Sequence, residues 1–294
     1  MIPLKILVPN DENPNSWFLF INDSLKKVNL EFDVLIVDLN TVEFLDTDDL
    51  VALACLLDSF FNAGKKIEFI NGEELLLTHL DNIKFKNYWN PEFNRDKFTA
   101  TNNNTTLCLW HISQEMITDY TTNAKRYFNG IFKDKDLVPL SSNLTEVFNN
   151  IFDHSCSSVN GYVITEYFPE KNLLSFSVCD FGIGIAESLN KYYVEKGKEP
   201  LSDSEAIKES LITGVSTHST PQNRGFGLGY VLEFTEGYNG SLNIYSNNGS
   251  LYKEAGENYD LEDTNFNFLG TLIKVEISTL ELEKIDDENV LNEW

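Results

Sequence analysis

The sequence predicts a mixed α/β (α+β) protein in two parts, and three observations predict it. Continuous β-branched runs alternate with a helix-period segment over residues 1–92. An Asn-rich stretch with one proline and few aliphatics, WNPEFNRDKFTATNNNTT from Trp89 to Thr106, then breaks the pattern and marks a boundary. Beyond it, strand and helix patterns resume, joined by glycine turns. The expected limits are a first domain over 1–92, a linker over 93–106, a second domain over 107–280 and an acidic tail over 281–294.

In the first domain, Leu4 to Val8 and Phe18 to Ile21 are short apolar runs expected as strands. Asp33 to Leu39 is a stronger strand, continuous and β-branched. Thr47 or Asp48 offers an N-cap. Leu50, Leu53, Ala54, Leu57 and Phe61 follow at helical spacing, and Gly64 closes the helix as a C′ residue. Ile67 to Ile70 is the next strand, which completes a βαβ unit.

The stretch VLIVDLNTVEFLDTDDLVALACLLDSFFNAGKKIEFIN resembles the STAS fold of bacterial anti-sigma-factor antagonists. In that family an Asp-Ser-Ser-Gly turn starts the helix, and a partner kinase phosphorylates its second serine. Here the turn reads Asp46-Thr47-Asp48-Asp49, so a carboxylate occupies the phosphoacceptor position. The resemblance implies a docking or sensing module held in a phospho-like state, with Thr47 as the one remaining hydroxyl. Thr47 and Asp48 equally suit a plain helix start, where negative charge favours the helix dipole.

Charge narrows the partners. A formal net charge of −24 argues against direct binding to nucleic acid or to an anionic membrane surface. A polyanionic ligand such as ATP would need local compensation from backbone N–H groups, helix N-termini and a divalent metal. Cys55, Cys108, Cys156 and Cys179 show no metal-ligand spacing, which points to a reducing, cytoplasmic setting. No signal core and no membrane-length apolar run is evident, so a soluble protein is expected.

In the second domain, Ile112, Met116, Ile117, Tyr120, Ala124, Tyr127 and Phe128 form a helical pattern that His111 would open. His111 lacks a following acidic residue and a second long helix, so a histidine-kinase phosphoacceptor role is not expected of it. Three polar clusters then appear in order. In LTEVFNNIFDHS, helical projection puts Glu146, Asn150, Asp153 and His154 on one face and Leu144, Val147, Phe148 and Ile151 on the adjoining one. Asn143 with Glu146 also imitates a capping box. In VCDFGIGI, a strand from Leu173 to Cys179, paired with Tyr162 to Phe168, ends in Asp180. Gly182 and Gly184 let the backbone turn closely past a ligand. A carboxylate there suits an exocyclic amine such as that of adenine. In NRGFGLGY, Gly225, Gly227 and Gly229 lead into a helix as a phosphate cradle, with Arg224 beside it to offset phosphate charge. It is neither a Walker loop nor a Rossmann fingerprint.

Together these clusters resemble the GHKL ATPase superfamily over about residues 107 to 280, and most closely its anti-sigma serine kinases. The resemblance implies a Bergerat-fold two-layer α/β sandwich with helices on one face of a mixed sheet. It implies ATP and Mg²⁺ as cofactors, Glu146 as general base, Asn150 as metal ligand, Asp180 as adenine reader and Thr271 of Gly270-Thr271 as its assistant. A lid between Ala186 and Arg224 carries a short helix capped by Ser202 with Glu205, and brings Ser216, Thr217 and His218 near the phosphates. Ser241 to Ser246 and Leu272 to Ile277 are expected strands, with a polar loop over Asn247 to Phe268 and a mobile tail from Glu281. Three activities stay open: phosphoryl transfer to a protein Ser or Thr, an ATP-hydrolysing conformational switch, and non-catalytic ATP sensing. A protein partner is expected, and a homodimer is possible.

Overall fold

Three parallel strands, β1 (Leu4–Leu7), β2 (Val34–Asp38) and β3 (Lys66–Ile70), form the first sheet in the order β1-β2-β3. The structure is a computed structural model. It describes residues 3–10, 13–95, 105–113, 116–155, 161–212 and 227–285, without the side chains of 149–155 and 227. Between the first two strands runs helix α1 (Pro14–Leu25), not the strand expected at Phe18 to Ile21. Its start is built for a helix: Asn13 Oδ1 accepts from the Asn15 N–H, and Pro14 opens the first turn. Trp17, Phe18, Ile21 and Ser24 bury one helical face, and that face outweighs the local β-propensity.

Helix α2 (Thr47–Asn62) joins β2 to β3 and ends at Gly64, whose φ of 79° is left-handed as expected. Its cap lies one residue earlier than expected. Asp46 is the N-cap, and it forms a reciprocal capping box with Asp49. Every residue from Leu50 to Leu57 is fully buried, so the helix is covered on all sides. A helix apolar all round belongs between two layers, and α2 lies between two sheets.

The second sheet has five strands: β4 (Thr106–Ile112), β5 (Gly161–Phe168), β6 (Leu173–Asp180), β7 (Ser241–Lys253) and β8 (Asp260–Ser278). Their order is β4-β5-β6-β8-β7, and every neighbouring pair is antiparallel, so the sheet is not the mixed one expected. His111 and Ile112 lie in β4, not in a helix; all seven residues of that strand are buried, as in a strand covered on both faces. Asn247 to Phe268 is largely the arms of the β7–β8 hairpin, not a loop. Exposed polar residues such as Glu262, Asp263 and Asn265 interrupt the apolar pattern of its distal half, where Leu251, Tyr252 and Leu261 pack inward.

Away from the register shifts in β4 and β7, period-two alternation assigns the side chains of this sheet to its two faces. On one face lie helices α4 (Ile117–Asn129), α5 (Val138–Ser155), α6 (Gly184–Glu195), α7 (Asp203–Ser210) and α8 (Gly227–Gly237), over Val163, Leu174, Phe176, Val178, Ile244, Ile273 and Val275. On the other lie α1 and α2, over Ile164, Cys179, Phe181, Phe268 and Leu272. Phe18 of α1 packs against Tyr245, Phe266 and Phe268. Helix α3 (Glu74–Asn82) and the 3₁₀ turn Phe85–Trp89 bring Ile83 O to the Leu109 N–H and the Tyr88 hydroxyl to Leu109 O. One cluster of buried residues thus runs from the first sheet through α2 into the second sheet.

Residues 96–104 of the expected linker lie outside the described residues. Just before them, Arg95 pairs with the buried Asp58 of α2 and with the Tyr162 hydroxyl of β5. The start of the expected mobile tail is anchored: Leu282 is buried, Glu283 O accepts from the Asp136 N–H, and the Ile285 N–H donates to Asp134 O. Residues 286–294 lie outside the described residues. Among those described, no helix is long and apolar enough to cross a membrane.

Candidate functional site

Asp180 ends β6 on the sheet face that carries α5, in line with Leu174, Phe176 and Val178. The residue is 1% exposed. Its Oδ1 accepts from the Gly182 N–H at 2.6 Å, while Oδ2 is buried without a hydrogen-bond partner among the described residues. Burial pushes the carboxyl up to about 7, against the pull of the Gly182 and Thr271 N–H groups. A tenfold change in proton affinity corresponds to about 1.4 kcal/mol of differential stabilisation.

Thr271 of β8 sits directly opposite Asp180, and Ser246 of β7 directly opposite Thr271. The three form a row across the sheet on one face. Gly270, at φ 90°, must lack a side chain: a Cβ would lie 2.1 Å from Asp180 O and 2.7 Å from the Gly182 nitrogen. Gly184, at φ 80°, opens α6, and a Cβ there would lie 2.5 Å from Asn247 Oδ1 and 2.8 Å from Ser246 Oγ. The Gly182–Gly184 turn is therefore a tight backbone feature, as its glycines predicted. Ser246 and Asn247, which bind this turn, were not legible in the sequence. They sit where β7 shifts register, and no motif surrounds them.

Helix α5 packs against β6, β8, α6 and α8. It begins at Val138, whose N–H donates to Asp136 Oδ1. Asn143 is thus interior, its amide donating to Pro139 O, and the capping-box reading of Asn143 with Glu146 is overturned. Glu146 is half-buried. Asn150, Asp153 and His154 continue the same helix, and their side chains lie outside what is described. Helix α8 starts at Gly227, while Arg224 and Gly225 lie outside the described residues. Gly229 has a packing role: a Cβ would lie 2.1 Å from Leu211 O, so the chain after α7 crosses the first turn of α8 there.

The segment expected as a lid includes most of α6 and all of α7. Ser202 and Glu205 cap α7 reciprocally, as expected. Helix α7 is tied to the β7–β8 hairpin: the Ser204 N–H donates to Asp263 Oδ1, and Asn248 donates twice to Asp203 Oδ2. Ser216, Thr217 and His218 lie outside the described residues.

In the Asp46–Asp49 turn, the one hydroxyl is closed to a modifying enzyme. Thr47 is fully buried, its hydroxyl 2.9 Å from Ser175 Oγ and 2.7 Å from Ser177 Oγ on β6. Thr47 is therefore an internal fastener and not a remaining phosphoacceptor. His111 is buried on β4, so it cannot serve as a phosphoacceptor on a helical hairpin. Among the described residues, no group of three or more His, Cys, Asp or Glu side chains is placed to hold a metal. The structure thus brings together Asp180, Gly182, Gly184 and Thr271, and sets the helices bearing Glu146 and Gly227 on the same face of the sheet. No protein-family model and no curated protein sequence matches this chain.

Proposed function

We propose that this chain is a cytoplasmic ATP-binding regulatory protein of the GHKL type, a STAS-like part fused to a Bergerat-type part, that transfers phosphoryl from Mg-ATP to a Ser or Thr of a protein partner. One observation carries the proposal: the buried Asp180 carboxyl at the end of a strand beside a glycine turn, whose Oδ2 has no hydrogen-bond partner among the described residues. An unmatched buried acceptor is unfavourable by about 1–3 kcal/mol or more when charged. The exocyclic amine of adenine would supply that donor.

The residues that would hold the ligand are those the sequence singles out. Asp180 would accept from the base, and Thr271, its cross-strand neighbour, would assist. Gly182 and Gly184 give the backbone room to turn beside the base. The start of α8 at Gly227 would offer N–H groups to phosphate, and Arg224 and Gly225, which precede it in sequence, are the proposed remainder of that cradle. Asp153 and His154 would flank the site on α5. Asn150 would hold Mg²⁺, which supplies charge neutralisation at the phosphates when bound. Glu146 would take the proton from the attacking hydroxyl. The core shared between the two halves favours this reading over a switch that depends on the halves separating.

The test is calorimetric titration with ATP and Mg²⁺, followed by γ-labelled ATP. Label on a protein partner supports the kinase reading, release as phosphate supports a hydrolysing switch, and retention on ATP supports a sensor. Asp180→Asn is expected to weaken adenine-nucleotide binding by about 10–100-fold. Glu146→Gln is expected to stop turnover and spare binding. Wild-type affinity should fall as pH drops below about 7, because Asp180 then takes a proton and gives up its charged acceptor. The Asp180→Asn variant should show a flat profile. Absence of any heat of binding with millimolar ATP and Mg²⁺ would sink the proposal.

A further inference from the structure

We infer that Ser246 is the positioning residue of this site, an assignment that rests on the adenine-binding reading above. Ser246 is 1% exposed, at the outer end of the row that runs through Thr271 to Asp180. Its hydroxyl is fully used. Oγ accepts from the Ile185 N–H at 2.8 Å and donates to Gly270 O at 3.0 Å, with Thr271 Oγ1 a further contact at 3.4 Å.

The first of these bonds is a helix cap delivered from another strand. The first N–H groups of a helix lack partners within the helix, and the residue before α6 provides no side-chain cap. Ser246 reaches across from β7 to satisfy Ile185. Asn247 adds a second tie, its amide donating to Ile183 O at 3.2 Å. Between them these two residues hold the far side of the Gly182–Ile185 turn. The near side of that turn, the Gly182 N–H, holds Asp180 Oδ1. The second Ser246 bond fixes Gly270, whose bare Cα packs on Asp180 and Gly182. One hydroxyl therefore braces the two backbone segments that define where the Asp180 carboxylate sits, and how dry it is, without touching the base.

Removing the hydroxyl leaves the Ile185 N–H and Gly270 O buried without their partner. The turn relaxes, water enters, and Asp180 loses both its aim and its desolvation. In Ser246→Ala, the ADP dissociation constant is expected to rise about tenfold. The Asp180 carboxyl, followed by carbon-detected NMR titration of the ligand-free protein, is expected to titrate lower, nearer an ordinary aspartate. Ser246→Thr, which keeps the hydroxyl, should restore both. If Ser246→Ala does not fold, Asn247→Gly removes the second tie while suiting the φ of 54° at that position, and the same two readouts apply. A wild type that binds ADP beside a Ser246→Ala variant with unchanged affinity and unchanged Asp180 titration overturns the positioning role alone. A wild type that does not bind ADP overturns the adenine reading and this assignment with it.

Discussion

Residues 107–285 expressed without residues 1–95 are expected to give no cooperative melting transition. The α1/α2 face of the second sheet explains why. Ile164, Cys179, Phe181, Tyr245, Phe266, Phe268 and Leu272 are buried in one cluster with the N-terminal residues. Burying one large apolar side chain contributes about 1.5–3 kcal/mol, and a whole domain is stable by only about 5–15 kcal/mol. Uncovering this set of seven forfeits about 10–20 kcal/mol, as large as the whole margin. The N-terminal piece alone meets the mirror problem, because α2 is apolar on all sides and would present one of them to water. Co-expression of the two pieces should recover a soluble complex with one transition, measured by circular dichroism and calorimetry. A sharp independent transition from either piece alone would show that the shared core is not what holds them.

That shared core also explains what the sequence conceals. β2 and α2 were legible because their signals are local: a β-branched run, and apolar residues at helical spacing closed by a glycine. The stretch LVALACLL from Leu50 to Leu57 carried more than an amphipathic stripe, since it has no polar face, and that is the mark of a helix between two layers. Phe18 to Ile21 misled because a short aromatic run fits a strand or a helix, and the burial spacing of Trp17, Phe18, Ile21 and Ser24 decides it. Asn247 to Phe268 misled for the opposite reason, as its buried positions include Ser250 and Lys253 and its exposed ones are dense in Asn, Asp and Glu, so few apolar residues mark the strands. At the candidate site, Asp180 with its glycines was visible because the turn constrains residue type locally. Ser246 was invisible because its partners, Ile185 and Gly270, lie far away in sequence and only register brings them together. The burial of Thr47 was hidden because a capping sequence does not say which sheet it faces.

The polar seam around Thr47 supports the second large prediction: Lys274→Met is expected to destabilise the protein by about 3–5 kcal/mol near pH 8, and by less near pH 5. Lys274 projects from β8 toward α2, with Nζ 2.5 Å from Asp46 Oδ2, 3.2 Å from Asp48 Oδ1 and 3.4 Å from Glu276 Oε1. Asp49 closes the capping box beside them, Tyr245 faces Asp48 and Asp49 from β7, and the Ser241 hydroxyl donates to Glu276. Burial raises Asp48, with the charge of Asp46 adding to it and Lys274 opposing. Burial, then the charge of Asp48, raises Asp49 to about 8. Burial alone would lower Lys274, yet Asp48, Asp46 and Glu276 hold it above its ordinary range. The sign follows from linkage. Carboxyls whose folded values exceed their unfolded ones take up protons on folding, so their contribution fades as pH rises from about 4 to about 8. The raised ammonium contributes fully across that window and is lost only at higher pH. Without it, Asp48 and Asp49 near pH 8 must stay charged and unmatched or hold protons against the solution, whereas at lower pH they take up protons readily. Thermal melts at the two pH values measure the difference, and Asp48→Asn added to Lys274→Met should recover part of the loss. Equal destabilisation at both pH values would mean that Lys274 acts through packing of its methylene stem and not through the charges it gathers between α2 and the sheet that bears Asp180.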